Sequence, residues 1–180
     1  MPNWCSNTLT LSHEDPDQIS RATDAFRRGE LLNEFVPLPA VEKDNWYDWH
    51  VSNWGTKWDV GGDNYNVDIG NDGSSMTVSF DSAWAPPVAW YEHMQELGFG
   101  VTAYYYESGM CFAGKYDESG DDSYEFSNMS SDDVRDMLPE DLDEMFAISE
   151  TMADYEDPEP LTEWYVEGAK EKGLIKDGND

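Results

Sequence analysis

The side chains able to act as acids, bases, nucleophiles or metal ligands are thinly spread. His13, His50 and His93 fall in a loop, a Trp-rich segment and a helix; no two stand at a metal-binding interval, and no Ser-His-Asp order accompanies them. Cys5 and Cys111 both lie in stretches that read as strands, without the basic neighbours that lower a thiol pKa, so both read as buried, inert thiols. Asp68-Ile69-Gly70-Asn71-Asp72-Gly73 starts like a calcium loop, but its twelfth position is Ser79 where a bidentate Glu is needed. Asp117-Glu118-Ser119-Gly120-Asp121-Asp122 reads as a solvated acidic loop. We expect no catalytic residue, no metal and no cofactor. An enzyme built on paired carboxylates ranks last, since no pair stands out from so many.

What remains is the carboxylate population itself. There are 39 Asp and Glu against 10 Lys and Arg, a net charge of -29. Residues 116–180 hold 22 of the acids against 4 basic residues, and residues 1–115 hold 17 against 6. A small domain needs a net charge of only about 2–8 to stay in solution. The balance excludes direct binding to nucleic acid or anionic lipid, which requires Lys and Arg clusters. It favours cations and basic protein surfaces as partners, although proteins of salt-loving organisms are also acidic. Asp132, Asp133, Asp136, Glu140, Asp143 and Glu144 fall on successive helical turns; Glu150, Asp154, Glu156, Asp157, Glu159, Glu163 and Glu167 extend the run. Carboxylates three or four residues apart on a helix stand about 5–6 Å apart. That spacing is close enough to imitate rows of phosphates. A second candidate surface is aromatic: Trp54, Trp58 and Trp84, with Lys57 as a nearby cation, form either a contact shelf or core packing.

These residues need elements to position them. With 39% hydrophobic and 14% aromatic residues, the chain can build a core despite its charge. Residues 3–12 alternate Cys5, Asn7, Leu9 and Leu11 against Trp4, Ser6, Thr8 and Thr10, a strand with one better-buried face. Asp15 and Pro16 open a helix with Ile19, Ala22, Ala25 and Phe26 on its apolar stripe, and Gly29 closes it. Phe35 to Pro39 reads as extended; Trp46 and Trp49 share a helical face, and Gly55 breaks the turn. Tyr65, Val67 and Ile69 pair with Met76, Val78 and Phe80 across an Asn71-Asp72-Gly73 turn. Pro86-Pro87 opens a helix through Trp90, Met94 and Leu97 to Gly98; strands follow at Val101–Tyr105 and Met110–Tyr116. In the acidic third, Ser130 or Ser131 caps one helix, and Pro139 starts another with Leu142, Met145, Phe146 and Ser149 on one stripe. A last helix carries Leu161, Trp164, Tyr165 and Ala169 and stops at Gly173. The order predicts an α+β fold, a ferredoxin-like split β-α-β sandwich with an antiparallel sheet, two helices on one face and an extra hairpin strand. Residues 1–120 form that domain, and 121–180 an acidic helical extension packed on it.

Four blocks carry a resemblance: Met1-Pro2-Asn3-Trp4-Cys5-Ser6-Asn7, Phe35-Val36-Pro37-Leu38-Pro39, Asn53-Trp54-Gly55-Thr56-Lys57-Trp58-Asp59, and Phe80-Asp81-Ser82-Ala83-Trp84-Ala85-Pro86-Pro87. Together with Glu107-Ser108-Gly109 and Phe112-Ala113-Gly114, they resemble the YubB-type ferredoxin-like domain family of bacteriophage and plasmid proteins over residues 1–120. The resemblance implies the fold and a mobile-element origin, and no reaction. The expectation is a phage- or plasmid-borne inhibitor of a restriction- or CRISPR-type defence effector, an acidic DNA mimic in a basic nucleic-acid cleft. The alternative is a non-catalytic accessory module that binds protein through its Trp-rich face. No signal peptide and no run of about 18 apolar residues is visible, so a host-cytoplasmic location is expected. A sheet edge leaves homodimerisation open.

Overall fold

A computed structural model describes residues 3–156. The chain divides into two units, Met1–Ser127 and Asn128–Asp180.

In the first unit, β1 (Trp4–Ser12) enters α1 (Pro16–Arg28) through the expected cap: the Asp15 side chain accepts from Asp17 N–H, and Gly29 ends the helix with φ 72°. Asp17 in the first turn and Arg27 and Arg28 in the last complement the helix dipole. Then come α2 (Leu31–Phe35), a 3-10 turn at Ala40–Asn45, and α3 (Trp46–Asn53). The hairpin of β2 (Val67–Ile69) and β3 (Ser75–Ala83) leads into α4 (Val88–Glu96). A meander of β4 (Gly100–Glu107), β5 (Phe112–Asp117) and β6 (Gly120–Glu125) completes the unit. The six strands form one open sheet in the order β2-β3-β1-β4-β5-β6, with every neighbouring pair antiparallel.

Period-two alternation decides the two faces. Leu9 and Leu11 of β1, Met76, Val78 and Phe80 of β3, and Val101 and Ala103 of β4 share one core with Ile19, Ala22, Ala25 and Phe26 of α1 and Trp90, Tyr91 and Met94 of α4. The alternate residues of β1 and β3 pair hydroxyl to hydroxyl, Thr8 with Ser79 at 3.1 Å and Thr10 with Thr77 at 3.0 Å. Cross-strand hydroxyl pairs of this kind hold register on a face that keeps contact with water.

Several expectations are corrected. Residues 121–125, expected in the helical extension, belong to strand β6, paired with β5 from Phe112↔Glu125 to Asp117↔Gly120. The unit boundary therefore falls after 127, not 120. Gly114 makes the close pairing possible, because a Cβ there would strike the Tyr105 phenol, whose hydroxyl donates to Asp121 Oδ1 at 2.7 Å. Strand β5 starts at Phe112 because the preceding residues are turn: the buried Glu107 carboxylate accepts Gly109 N–H at 2.9 Å and Met110 N–H at 2.6 Å, and Cys111 has φ 56°. Phe35 closes α2 instead of lying extended, and Tyr65 precedes β2.

In the second unit, Ser130 caps α5 (Ser131–Met137) in a reciprocal capping box with Asp133. Pro139 precedes α6 (Glu140–Phe146), but the expected single stripe through Ser149 is broken. Ala147 adopts φ 49°, and a separate α7 runs Ile148–Glu156. Asp143 fixes that break by accepting from Ser149 N–H at 2.8 Å and Ser149 Oγ at 2.5 Å. The helix expected to end at Gly173 lies outside the described residues.

Candidate functional site

Each unit carries one candidate surface. In the second, residues 128–156 contain ten Asp and Glu and one basic residue, Arg135. The structure puts part of that charge to internal use. Besides Asp133 in the capping box and Asp143 at the α6–α7 break, Glu156 accepts Ser131 N–H at 2.8 Å and Ser131 Oγ at 2.7 Å at the α5 N-terminus. Asp132 accepts from Arg135 Nη1 at 2.9 Å while staying well exposed. Asp136, Glu140, Glu144, Glu150 and Asp154 are exposed. Taken by spacing, Asp132 and Asp136 on α5, Glu140 and Glu144 on α6, and Glu150 and Asp154 on α7 are three i,i+4 carboxylate pairs, one per helix. Asp157, Glu159, Glu163 and Glu167 lie outside the described residues.

In the first unit the aromatic shelf is redrawn. Trp54 is core, 2% exposed, with its Nε1–H donated to Val36 O at 2.8 Å and its ring stacked on His50 at 3.8 Å. Trp58 and Trp84 are on the surface, 39% and 49% exposed. Trp4, which the sequence reading left as one end of a strand face, is 50% exposed and meets Trp58 at 5.9 Å between ring centroids. The signal was available: Trp4 stands in line with Ser6, Thr8 and Thr10 on the polar alternation of β1, where a core Trp does not belong. Lys57 Nζ lies 4.6 Å from the Trp58 centroid and 5.7 Å from that of Tyr47, which in turn contacts Trp46 at 5.9 Å. Trp46, Tyr47, Lys57, Trp58 and Trp4 thus make a continuous aromatic ridge around one cation.

The chain reaches this arrangement through Asp59. Its carboxylate accepts Leu32 N–H at 2.7 Å, Asn33 N–H at 3.0 Å and Val60 N–H at 2.8 Å, so it caps the N-terminus of α2 from a distant loop. Burial nevertheless pushes its pKa up, against the lowering by those three donors. Gly61, at φ 109°, then passes so close to the Phe26 carbonyl that no Cβ would fit, and Gly62 N–H donates to that carbonyl at 2.7 Å. Between this loop and the end of the β1–β3 pair lies a cleft of about 210 Å³, lined by Trp4, Trp58, Tyr65, Asp59 and Asp81 among others. Trp84 follows at a left-handed φ of 75°, outside the comfortable range of a bulky residue. It is held there from both sides: Trp84 N–H donates to Asn3 O at 3.0 Å, and Thr56 Oγ and Ser82 Oγ donate to Ala83 O and Ala85 O, each at 2.8 Å.

The histidines have structural partners. His13 Nδ1 accepts Asp15 N–H at 2.9 Å, His50 Nδ1 lies 2.9 Å from Lys57 O, and His93 stands 3.5 Å from Glu96. Cys5 is buried, with its thiol pKa pushed up to about 12 chiefly by desolvation; Cys111 is half-buried. Among the described residues, no group of three or more His, Cys, Asp or Glu is placed to hold a metal ion. No helix among them is long and apolar enough to cross a membrane.

No family model and no curated protein matches the chain. Among solved structures, it is similar to the crystal structure of protein api92 from Yersinia pseudotuberculosis, family model DUF1281. The identity is 19% and the TM-score 0.40, over 53% of this chain and 39% of that one. A likeness that loose transfers no function. The resemblance to the YubB-type family therefore stands on the sequence blocks alone.

Proposed function

We propose that the protein is a non-enzymatic inhibitor that presents its carboxylates to the basic nucleic-acid-binding cleft of another protein, as a DNA mimic. The observation that carries this reading is the set of three outward i,i+4 carboxylate pairs on α5, α6 and α7, borne on helices whose ends are fixed by other carboxylates. A restriction- or CRISPR-type effector fits as target, since its cleft is built to take rows of phosphates. Dense charge steers association and fixes register. We also read the first unit as a ferredoxin-like split β-α-β sandwich. The order β2-β3-β1-β4, with α1 and α4 packed in one core, supports that reading, and β5 and β6 extend the sheet.

The test is affinity capture from a bacterial lysate with the full chain, followed by salt elution and DNA competition. We expect the captured partner to lose at least about tenfold in affinity between about 50 and 200 mM salt, and to release the protein when duplex DNA is added. A variant combining Glu140→Gln, Glu144→Gln, Glu150→Gln and Asp154→Asn should lose most of the binding. Capture that survives both this variant and the salt, or a ternary complex with DNA, refutes the mimic. The ridge of Trp46, Tyr47, Trp58 and Trp4 favours the second reading, an accessory module that binds protein through aromatic contacts; Trp58→Ala would then abolish capture while the carboxylate variant leaves it intact.

A further inference from the structure

We propose that the cleft lined by the Trp4–Trp58 pair and Asp81 is a recognition site for a cationic side-chain end, above all the guanidinium of an arginine on a partner polypeptide. This site belongs to the first unit and does not rest on the carboxylate pairs of the second. Two indole rings that pack against each other, 5.9 Å apart between centroids and tilted at 41°, belong to its lining, and both are substantially exposed. Exposed indoles at the edge of an open cleft are poor core and good cation receptors, because the ring face carries the negative end of its quadrupole. The Trp58 ring already attracts a cation of this chain, Lys57 Nζ at 4.6 Å, yet Lys57 is not among the residues that line the cleft.

The polar lining has the matching sign. Asp81, exposed at the rim, accepts Ser6 Oγ through Oδ1 at 3.0 Å, and among the described residues Oδ2 has no hydrogen-bond partner. Asp59 also belongs to the lining, but both its oxygens are taken by backbone donors, which leaves Asp81 as the carboxylate for a ligand. At about 210 Å³ the cleft is below the roughly 300–1,000 Å³ of sites for whole small molecules. It suits a side-chain terminus. A planar guanidinium stacks on indole and offers paired donors to a carboxylate, which favours arginine over lysine. A net charge of -29 raises the local concentration of any basic segment near the mouth.

The experiment uses the full chain labelled with 5-fluorotryptophan and followed by fluorine NMR, titrated with N-acetyl-argininamide. N-acetyl-norleucinamide serves as the uncharged control and N-acetyl-glutamate amide as the anionic one. We expect saturable shifts of the Trp4 and Trp58 signals with the arginine probe alone, weakened about fivefold to tenfold by Asp81→Asn and abolished by Trp58→Leu. Trp58→Phe, which keeps an aromatic wall, should retain part of the affinity. The remaining tryptophan signals report whether each variant keeps its fold. Linear, unsaturated shifts up to about 100 mM probe, equal response to norleucinamide, or full affinity in Asp81→Asn each overturn the assignment. Because the probe is a single residue and the carboxylate helices are untouched, the outcome is independent of whether the DNA-mimic reading stands.

Discussion

Replacing Asp143 with Ala isolates the claim that carboxylates of the acidic third build structure before they present charge. Asp143 receives two bonds from one residue, Ser149 N–H at 2.8 Å and Ser149 Oγ at 2.5 Å, across the left-handed turn at Ala147. A hydrogen bond to an ionised acceptor contributes about 1.5–3 kcal/mol. Asp143 is half-buried, so water recovers part of that, and the pair together should be worth about 2 kcal/mol. At 1.4 kcal/mol per decade, the opening of α7 should rise about 30-fold. Amide hydrogen exchange of the α7 backbone in the full chain reads this directly. Glu144→Gln is the control. It removes the neighbouring charge and relieves repulsion from Glu140 one turn away, so α7 exchange should stay within about twofold of the parent. Combining Asp143→Ala with Ser149→Ala should show a coupling of about 1 kcal/mol or more. Equal exchange in Asp143→Ala and Glu144→Gln, or strictly additive single effects, would refute the assignment.

Two further outcomes follow from the titrating groups. With its pKa pushed up to about 12, Cys5 should resist iodoacetamide at pH 8 in the folded chain while Cys111 is carbamidomethylated; peptide mass spectrometry showing Cys5 modified first would contradict its burial. Burial is the main cause that raises the carboxyl pKa of both Asp59 and Asp121 above 3.8. The folded chain therefore binds these protons more tightly than the unfolded chain does, and their contribution to stability is present in acid and lost as pH rises through the folded values. Asp72 is lowered by its bonds from Ser74 and works in the other direction, but it is fully solvent-exposed and counts for little. The melting temperature should climb as pH falls from 7 toward the range just above 3.8, and a steady decline over that interval would reverse the sign.

Local rules made the first unit readable. The Asp15-Pro16 cap, the Gly29 stop, the Asn71-Asp72-Gly73 hairpin and the two-residue alternation of β1 depend on neighbours in sequence, and the structure keeps all four. Misreadings arose where a distant group decides. Acidity disguised β6, because its six residues are mostly exposed and its pairing depends on Gly114 in β5 giving room to Tyr105. Phe35 was read as extended because nothing nearby caps a helix at Leu31; the cap is Asp59, 27 residues away from Leu32. Trp54 and Trp58 read alike as shelf or core; Trp54 is core and Trp58 exposed, and only the loop path set by Gly55 and Asp59 distinguishes them. The break at Ala147 had no glycine to announce it.

The carboxylates of the second unit sort into two populations, and the sorting bears on function. Asp133, Asp143 and Glu156 satisfy backbone donors at helix ends, where negative charge is favourable, and the fold accounts for them fully. Within the three i,i+4 pairs, Asp132, Glu140 and Glu150 also stand in the first turns of α5, α6 and α7, where the dipole favours them; Asp136, Glu144 and Asp154 are the members without such an account. Like charges one turn apart on a helix destabilise it by about 0.2–0.5 kcal/mol per pair. Among the described residues, Asp132 alone of these six has a cation, Arg135, which is the one basic residue in 128–156. Solubility does not require the rest, given the charge already carried by residues 1–115. Asp136, Glu144 and Asp154, exposed and one turn on from another carboxylate, are therefore the side chains on which the proposed contact rests, since a surface rich in Lys and Arg would turn their repulsion into attraction.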